Sequence, residues 1–156
     1  MGRSVEFVRE WKEMGPESEM GAFGVYKKEV SAMRRIPQFR SCTEAIVSNL
    51  ALLNDYAIEI YERHNHNAAE AMKELSVRAL ECTGDPAHKA YLKFPFSYLG
   101  DGDGNEEQWQ IKDIECSPHM KLIRRDSNLR IYFFWFDDRI GEGEKVLIGH
   151  IGKYPY

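Results

Sequence analysis

The apolar pattern of this chain changes period once, near Gly84 and Pro86, and that change limits the folds open to it. Ahead of it, Ile46, Leu50, Leu53, Ala57 and Ile60 recur at the spacing of one helix face, and Met72, Leu75, Ala79 and Cys82 repeat the pattern. Behind it, Leu92, Phe94 and Phe96 alternate with Lys93, Pro95 and Ser97 at the period of two that puts successive side chains on opposite faces of a strand. Helices followed by strands, rather than interleaved with them, specify an α+β fold whose sheet is antiparallel. A length of 156 residues suits one such domain with a substantial core.

The helix boundaries are written in the sequence. Ser41-Cys42-Thr43-Glu44 has capping-box spacing, in which a serine hydroxyl and a glutamate satisfy amide donors of the first turn. Asn67-Ala68-Ala69-Glu70 repeats that logic for a second helix, which Gly84 and Pro86 close. The short connector His64-Asn65-His66-Asn67 makes the two helices an antiparallel hairpin. Among the strands, Pro95 marks an edge or an irregular crossing, because proline has no N–H to give a ladder. Residues 100–107 form an acidic, Gly-rich loop; Trp109 and Ile111 open a strand towards Cys116, and Ser117-Pro118 interrupts it. Residues 120–125 pair with 129–136 across Asp126-Ser127-Asn128, and a last strand covers 145–152 after a turn holding Gly141 and Gly143. The expectation is one sheet of three or four strands, with the helical hairpin over one face. Ahead of it, residues 4–14 carry Val5, Val8 and Trp11 on one side of a short helix, and residues 25–36 mix apolar and basic positions without a clear period. The chain therefore divides into an N-terminal extension or helical layer, 1–40, and an α+β domain, 41–156.

Charge and composition exclude several function classes. No apolar run is long enough to cross a bilayer, and the N-terminus lacks the apolar core of a secretion signal, so a cytoplasmic protein without membrane contact is expected. Cys42, Cys82 and Cys116 are widely spaced with no CxxC pair, which suits small apolar residues in a reducing compartment. Residues 1–40 hold eight Lys/Arg against six Asp/Glu, residues 41–84 three against seven, and residues 85–156 ten against twelve. A net charge of −4 opposes indiscriminate coating of nucleic acid and leaves room only for a local basic site.

Most candidate motifs fail on chemistry. Asp101-Gly102-Asp103-Gly104-Asn105 starts like a calcium loop, but Glu106 stands where such a loop needs glycine and Lys112 where it needs a bidentate glutamate. His64 and His66 have no third ligand nearby, so a surface turn is expected. Cys116 and His119 are spaced for a nucleophile and base, yet Ser117-Pro118 between them reads as a bulge.

One constellation survives. In Leu129-Arg130-Ile131-Tyr132-Phe133-Phe134-Trp135 the odd-numbered residues read as core beneath the helices, which turns Arg130 and Tyr132 to the opposite face. In the final strand His150 is expected to project with Val146 and Ile148, opposite Leu147 and Ile151, and so to share Arg130's face. Lys112, Lys121, Arg124 and Lys153 lie on neighbouring segments. Such groups suit phosphodiester cleavage without a metal or cofactor: a base takes a proton from a 2′-hydroxyl, cations hold charge growing on phosphorus, and an acid protonates the leaving oxygen.

The segments Trp109-Gln110-Ile111-Lys112, Lys121-Leu122-Ile123-Arg124, Leu129-Arg130-Ile131-Tyr132-Phe133 and Gly149-His150-Ile151-Gly152-Lys153-Tyr154-Pro155-Tyr156 resemble the RelE/ParE-like toxin superfamily. The resemblance spans residues 41–156, and its motifs lie in 109–156. Proteins of that superfamily place two helices before an antiparallel sheet; many are ribonucleases that cut messenger RNA at the ribosome, others bind gyrase, and an antitoxin neutralises both. The resemblance implies Arg130 as the transition-state cation, His150 as acid or base, and Tyr154 or Tyr156 as the terminal catalytic aromatic. It implies phosphate binding by Lys112, Lys121, Arg124 and Lys153, with RNA or the ribosome and an antitoxin protein as partners. Members are usually shorter and basic, whereas this chain is acidic. The alternative is a non-catalytic binding module of the same fold, gyrase-directed or a phage accessory protein.

Overall fold

The structure is a computed structural model that describes residues 39–79, 82–83, 89–102, 106–123 and 128–153. The helix expected at residues 4–14 and the mixed stretch 25–36 lie outside these, as do Gly84, Pro86, Asp103 to Asn105, Arg124 and most of the following turn, and the terminal tyrosines.

The fold is α+β. Helix α1 (Phe39–Leu52) runs through a π-helical turn (Leu53–Ala57) into α2 (Ile58–Arg63), so the three form one continuous rod. Its expected stripe is its buried stripe: Ile46, Leu50, Leu53, Ala57 and Ile60 are all sealed. Among the described residues the backbone is already helical at Phe39, so Ser41 lies within the helix rather than at its N-cap. Asn65 and His66 take positive φ values of 52° and 62° to reverse the chain. Helix α3 (Ala68–Arg78) follows, and the Asn67 side chain accepts a 3.3 Å hydrogen bond from the Glu70 amide at its start, as its sequence requires.

Helix α3 is shorter than its apolar stripe. The backbone is already extended at Ala79, and Cys82 belongs to a two-residue strand, β1 (Cys82–Thr83). Ser76 makes the exchange possible: its hydroxyl contacts the Met72 carbonyl at 2.8 Å and both the amide and the carbonyl of Cys82 at 3.2 Å. Cys82 stays buried against the helix although it has left it.

After a 3₁₀ turn (Lys89–Leu92) come β2 (Lys93–Asp101) and β3 (Glu107–Glu115), then β4 (His119–Lys121), β5 (Arg130–Phe134) and β6 (Leu147–Gly152). They build two antiparallel sheets, not one: four strands in the order β1-β4-β5-β6, and a separate β2-β3 hairpin. The four-stranded sheet is a central layer. One face packs on the helices through Met120, Ile131, Phe133, Ile148 and Ile151. The other packs on the hairpin through Leu92, Phe96, Ile114, Cys116, Tyr132 and Leu147. Alternation along β2 announced one buried face, but the layer beneath that face is the sheet's second side, which was expected to be open. Each such fully buried apolar side chain contributes about 1.5–3 kcal/mol of transfer free energy.

The last strand also differs from expectation. Tyr132 pairs with His150 and Phe133 with Ile148, leaving Gly149 as an extra residue on β6. This bulge shifts the alternation by one. Val146, Ile148 and Ile151 consequently face the helices, and Leu147 shares the side of His150. Glycine is needed there on steric grounds, because a Cβ would lie 2.4 Å from Phe94 Cδ2 and 2.8 Å from both Cβ and Sγ of Cys116.

Candidate functional site

The pairing of β4, β5 and β6 lines up two rows of side chains on the face turned away from the helices. His119 stands opposite Tyr132, and Tyr132 opposite His150; one step along, Lys121 stands opposite Arg130, and Arg130 opposite Gly152. Residues directly opposite in an antiparallel ladder share a face, with neighbouring strands about 4.8 Å apart. Arg130, Lys121, His119 and His150 therefore surround Tyr132 on one side of the sheet. Ring centroids confirm the first row: 5.1 Å between His119 and Tyr132, and 6.0 Å between Tyr132 and His150. Phe94 of the hairpin lies parallel to His150 at 6.2 Å.

The hairpin covers part of this face. Tyr132 is only 2% exposed and belongs to the second core, whereas Arg130, Lys121, His119 and His150 are half-buried around it. The cluster is thus a rim around a packed aromatic. Opposite Arg130 stands Gly152, which is buried.

Hydrogen bonds set the two rings differently. His150 Nε2 lies 2.6 Å from the Lys153 carbonyl, which can only accept, so Nε2 carries the proton. His119 Nδ1 lies 2.9 Å from the Ser117 carbonyl and donates to it, while Nε2 lies 2.7 Å from the Thr83 hydroxyl. Both nitrogens of His119 are thereby engaged with protein groups, which makes it a fixed member of the rim. Arg130 Nη1 donates to the Leu129 carbonyl at 3.3 Å.

The other sequence candidates fall in several places. Lys153 is exposed just past β6. Lys112 is on the hairpin, not on the sheet that carries Arg130, and its ammonium is ion-paired with Asp137. Arg124, Tyr154 and Tyr156 lie outside the described residues. Tyr132 shares Arg130's face as expected, though it is buried there, and His119 is the member that sequence reasoning did not bring into the cluster. β4 is three residues long, too short for alternation to assign its faces.

Cys42, Cys82 and Cys116 are buried and form no disulfide with one another, and burial pushes the Cys116 thiol far above its ordinary value. His64 Nε2 is 2.7 Å from Glu74, and His66 stacks on Tyr61 at 4.9 Å. Among the described residues no three His, Cys, Asp or Glu side chains converge as a metal site, and no helix is long and apolar enough to cross a membrane. A groove of about 730 Å³ between α3 and the β1 edge is lined by Tyr61, Met72, Ser76, Thr83, Ser117 and Trp135 among others, with none of Arg130, Lys121 or His150 in its wall.

Compared with protein-family models, with curated proteins and with solved structures, the chain matches none. The site must be interpreted from its own chemistry.

Proposed function

We propose that the rim on β4–β6 binds a phosphodiester of RNA and cleaves it, as a toxin-type endoribonuclease similar to the RelE/ParE-like superfamily. The observation that carries this reading is the common face of Arg130, Lys121 and His150, two cations and an imidazole on adjacent strands. In the proposed reaction a base removes the 2′-hydroxyl proton and the 2′-oxygen attacks phosphorus. Arg130 and Lys121 hold the charge developing on the non-bridging oxygens, and an acid protonates the departing 5′-oxygen. His150 is assigned one of the two proton transfers, and Tyr154 or Tyr156 the other. A guanidinium suits the charge-holding role because its planar fork makes two parallel hydrogen bonds to a phosphate. Lys153 and Arg124 would extend phosphate binding along the RNA.

Expression of the chain in bacteria tests this reading. It predicts growth arrest that Arg130→Ala relieves at equal protein level; arrest by the alanine variant as strong as by the parent excludes Arg130 chemistry. The second reading, a non-catalytic protein-binding module, is favoured by a different observation. Trp109 is 76% exposed on a hairpin face rich in carboxylates, unlike a surface made for RNA. Retention on a phosphate or heparin column at low salt supports the nuclease, and flow-through supports the binding module.

A further inference from the structure

The outward face of the β2-β3 hairpin is apolar at its centre and acidic around it. Leu99 stands opposite Trp109, and Ile111 lies two residues further along β3 on the same face. They are 46%, 76% and 71% exposed. The same face carries Asp101, Glu107, Asp113 and Glu115 against a single ammonium, Lys93. Isolated exposed apolar residues are ordinary, but three in contact register with a tryptophan at the centre form a patch of the kind that anchors an interface.

Two features say what should cover it. Asp101 and Glu107 are direct cross-strand partners, so the loop end of the hairpin holds two like charges opposite each other, an arrangement that a cation would relieve. The sheet also has an unused edge. Among the described residues β3 pairs only with β2, and its nine residues contain no proline, whereas β2 carries Pro95, which has no N–H to offer. A second copy fits poorly. Full antiparallel overlap of two β3 strands sets Glu107 against Glu115 of the other copy, and a shift of one pair sets Glu107 against Asp113. Anionic lipid and nucleic acid are repelled by the same carboxylates.

We propose that the outer edge of β3 takes up an extended segment of a partner polypeptide whose every second residue, the set on one strand face, reads cation, apolar, apolar, cation. Added as a third strand, this segment lays its apolar side chains beside Trp109 and Ile111 and its cations beside Glu107 and Asp113. The inference is independent of the RNA reading, since it uses neither Arg130 nor His150.

The test uses the full chain and three labelled nonapeptides followed by fluorescence anisotropy: the Lys-Val peptide Lys-Ser-Lys-Ser-Val-Ser-Val-Ser-Lys, the same peptide with both Val changed to Ser, and the same peptide with all three Lys changed to Glu. Only the Lys-Val peptide is expected to bind, with amide-exchange protection of residues 107–115. Trp109→Ser and the pair Glu107→Lys, Asp113→Lys are each expected to weaken it at least tenfold. Equal binding of all three peptides, absence of binding, or Lys-Val binding unchanged in both variants overturns the proposal. So does a dimer of the parent chain in sedimentation that Trp109→Ser abolishes, because the occupant is then a second copy. Protection of β3 in the isolated chain that is lost when Lys27, Lys28, Arg34 and Arg35 are changed to Glu also overturns it, the occupant then being the chain's own basic segment.

Discussion

Gly149→Ala tests the three-layer packing at its tightest point. The added Cβ would approach Phe94 Cδ2 to 2.4 Å and Cys116 Cβ and Sγ to 2.8 Å. Carbon atoms in good contact sit about 3.5–4.0 Å apart, so the hairpin layer would have to move outward by about 1 Å. The Phe94 ring is half-buried and has some room to turn. Cys116 does not, because its Cβ is fixed to the backbone and the residue is fully sealed. Overpacking of this kind costs about 1–3 kcal/mol, from which up to about 1 kcal/mol returns because alanine loses less conformational entropy than glycine on folding. A net loss of about 1–2 kcal/mol corresponds to a fall in Tm of roughly 2–8 °C for a chain of this size. Thermal unfolding followed by near-ultraviolet circular dichroism reads the shift. Phe94→Ala combined with Gly149→Ala should then cost less than the two single changes added together, since both act on one contact. A Tm within 1 °C of the parent would refute the close approach of hairpin and β6.

Other consequences are open to measurement. Cys116 is fully buried with its thiol pushed up by that burial, so it should resist alkylation in the folded protein and react once urea unfolds it. Glu74 is held below the ordinary carboxylate value of 4.5, first by the hydrogen bond from His64 and then by the charges of Arg63, His64 and Arg78. A depressed carboxylate stabilises the fold above its unfolded pKa and loses that contribution as pH falls through the folded value. Glu74→Gln should therefore lower Tm at neutral pH, and the difference should shrink as pH falls through the folded carboxylate's depressed range. Lys112→Ala removes the partner of Asp137, whose side chain is only 12% exposed. A loss of about 1 kcal/mol is expected in urea titration, restored in part by Asp137→Asn in the same chain.

The helical hairpin was legible because its signals are local: Asn67 caps α3, and Ile46 through Ile60 keep helical spacing. Alternation likewise placed Leu129, Ile131 and Phe133 beneath the helices and turned Arg130 to the other side. Three things were not legible. Phe94 and Phe96 announce that one face of β2 is buried, but alternation does not say against what, and the second sheet layer went unseen. Val146, Leu147 and Ile148 are all apolar because β6 is buried on both faces, so no polar residue marks where the Gly149 bulge shifts the alternation. His150 nonetheless shares Arg130's side, since the part of the expectation that rested on Ile151 holds. Cys82 continues the apolar stripe of α3 but pairs with Met120 in β1, a change that depends on the Ser76 hydroxyl rather than on periodicity. The cluster around Tyr132 was half visible for the same reason: Arg130 and His150 lie on strands long enough to read, and His119 does not.

The central functional claim is that the Arg130 rim cleaves RNA. The direct measurement incubates the full chain with single-stranded RNA in excess EDTA and analyses product ends by mass spectrometry. Cleavage leaving 2′,3′-cyclic phosphate and 5′-hydroxyl ends is predicted, with Arg130→Ala slower by about 10²–10³, the usual loss when one charge-stabilising donor is removed. Intact RNA after incubation with the folded parent chain, or undiminished cleavage by the alanine variant, contradicts it.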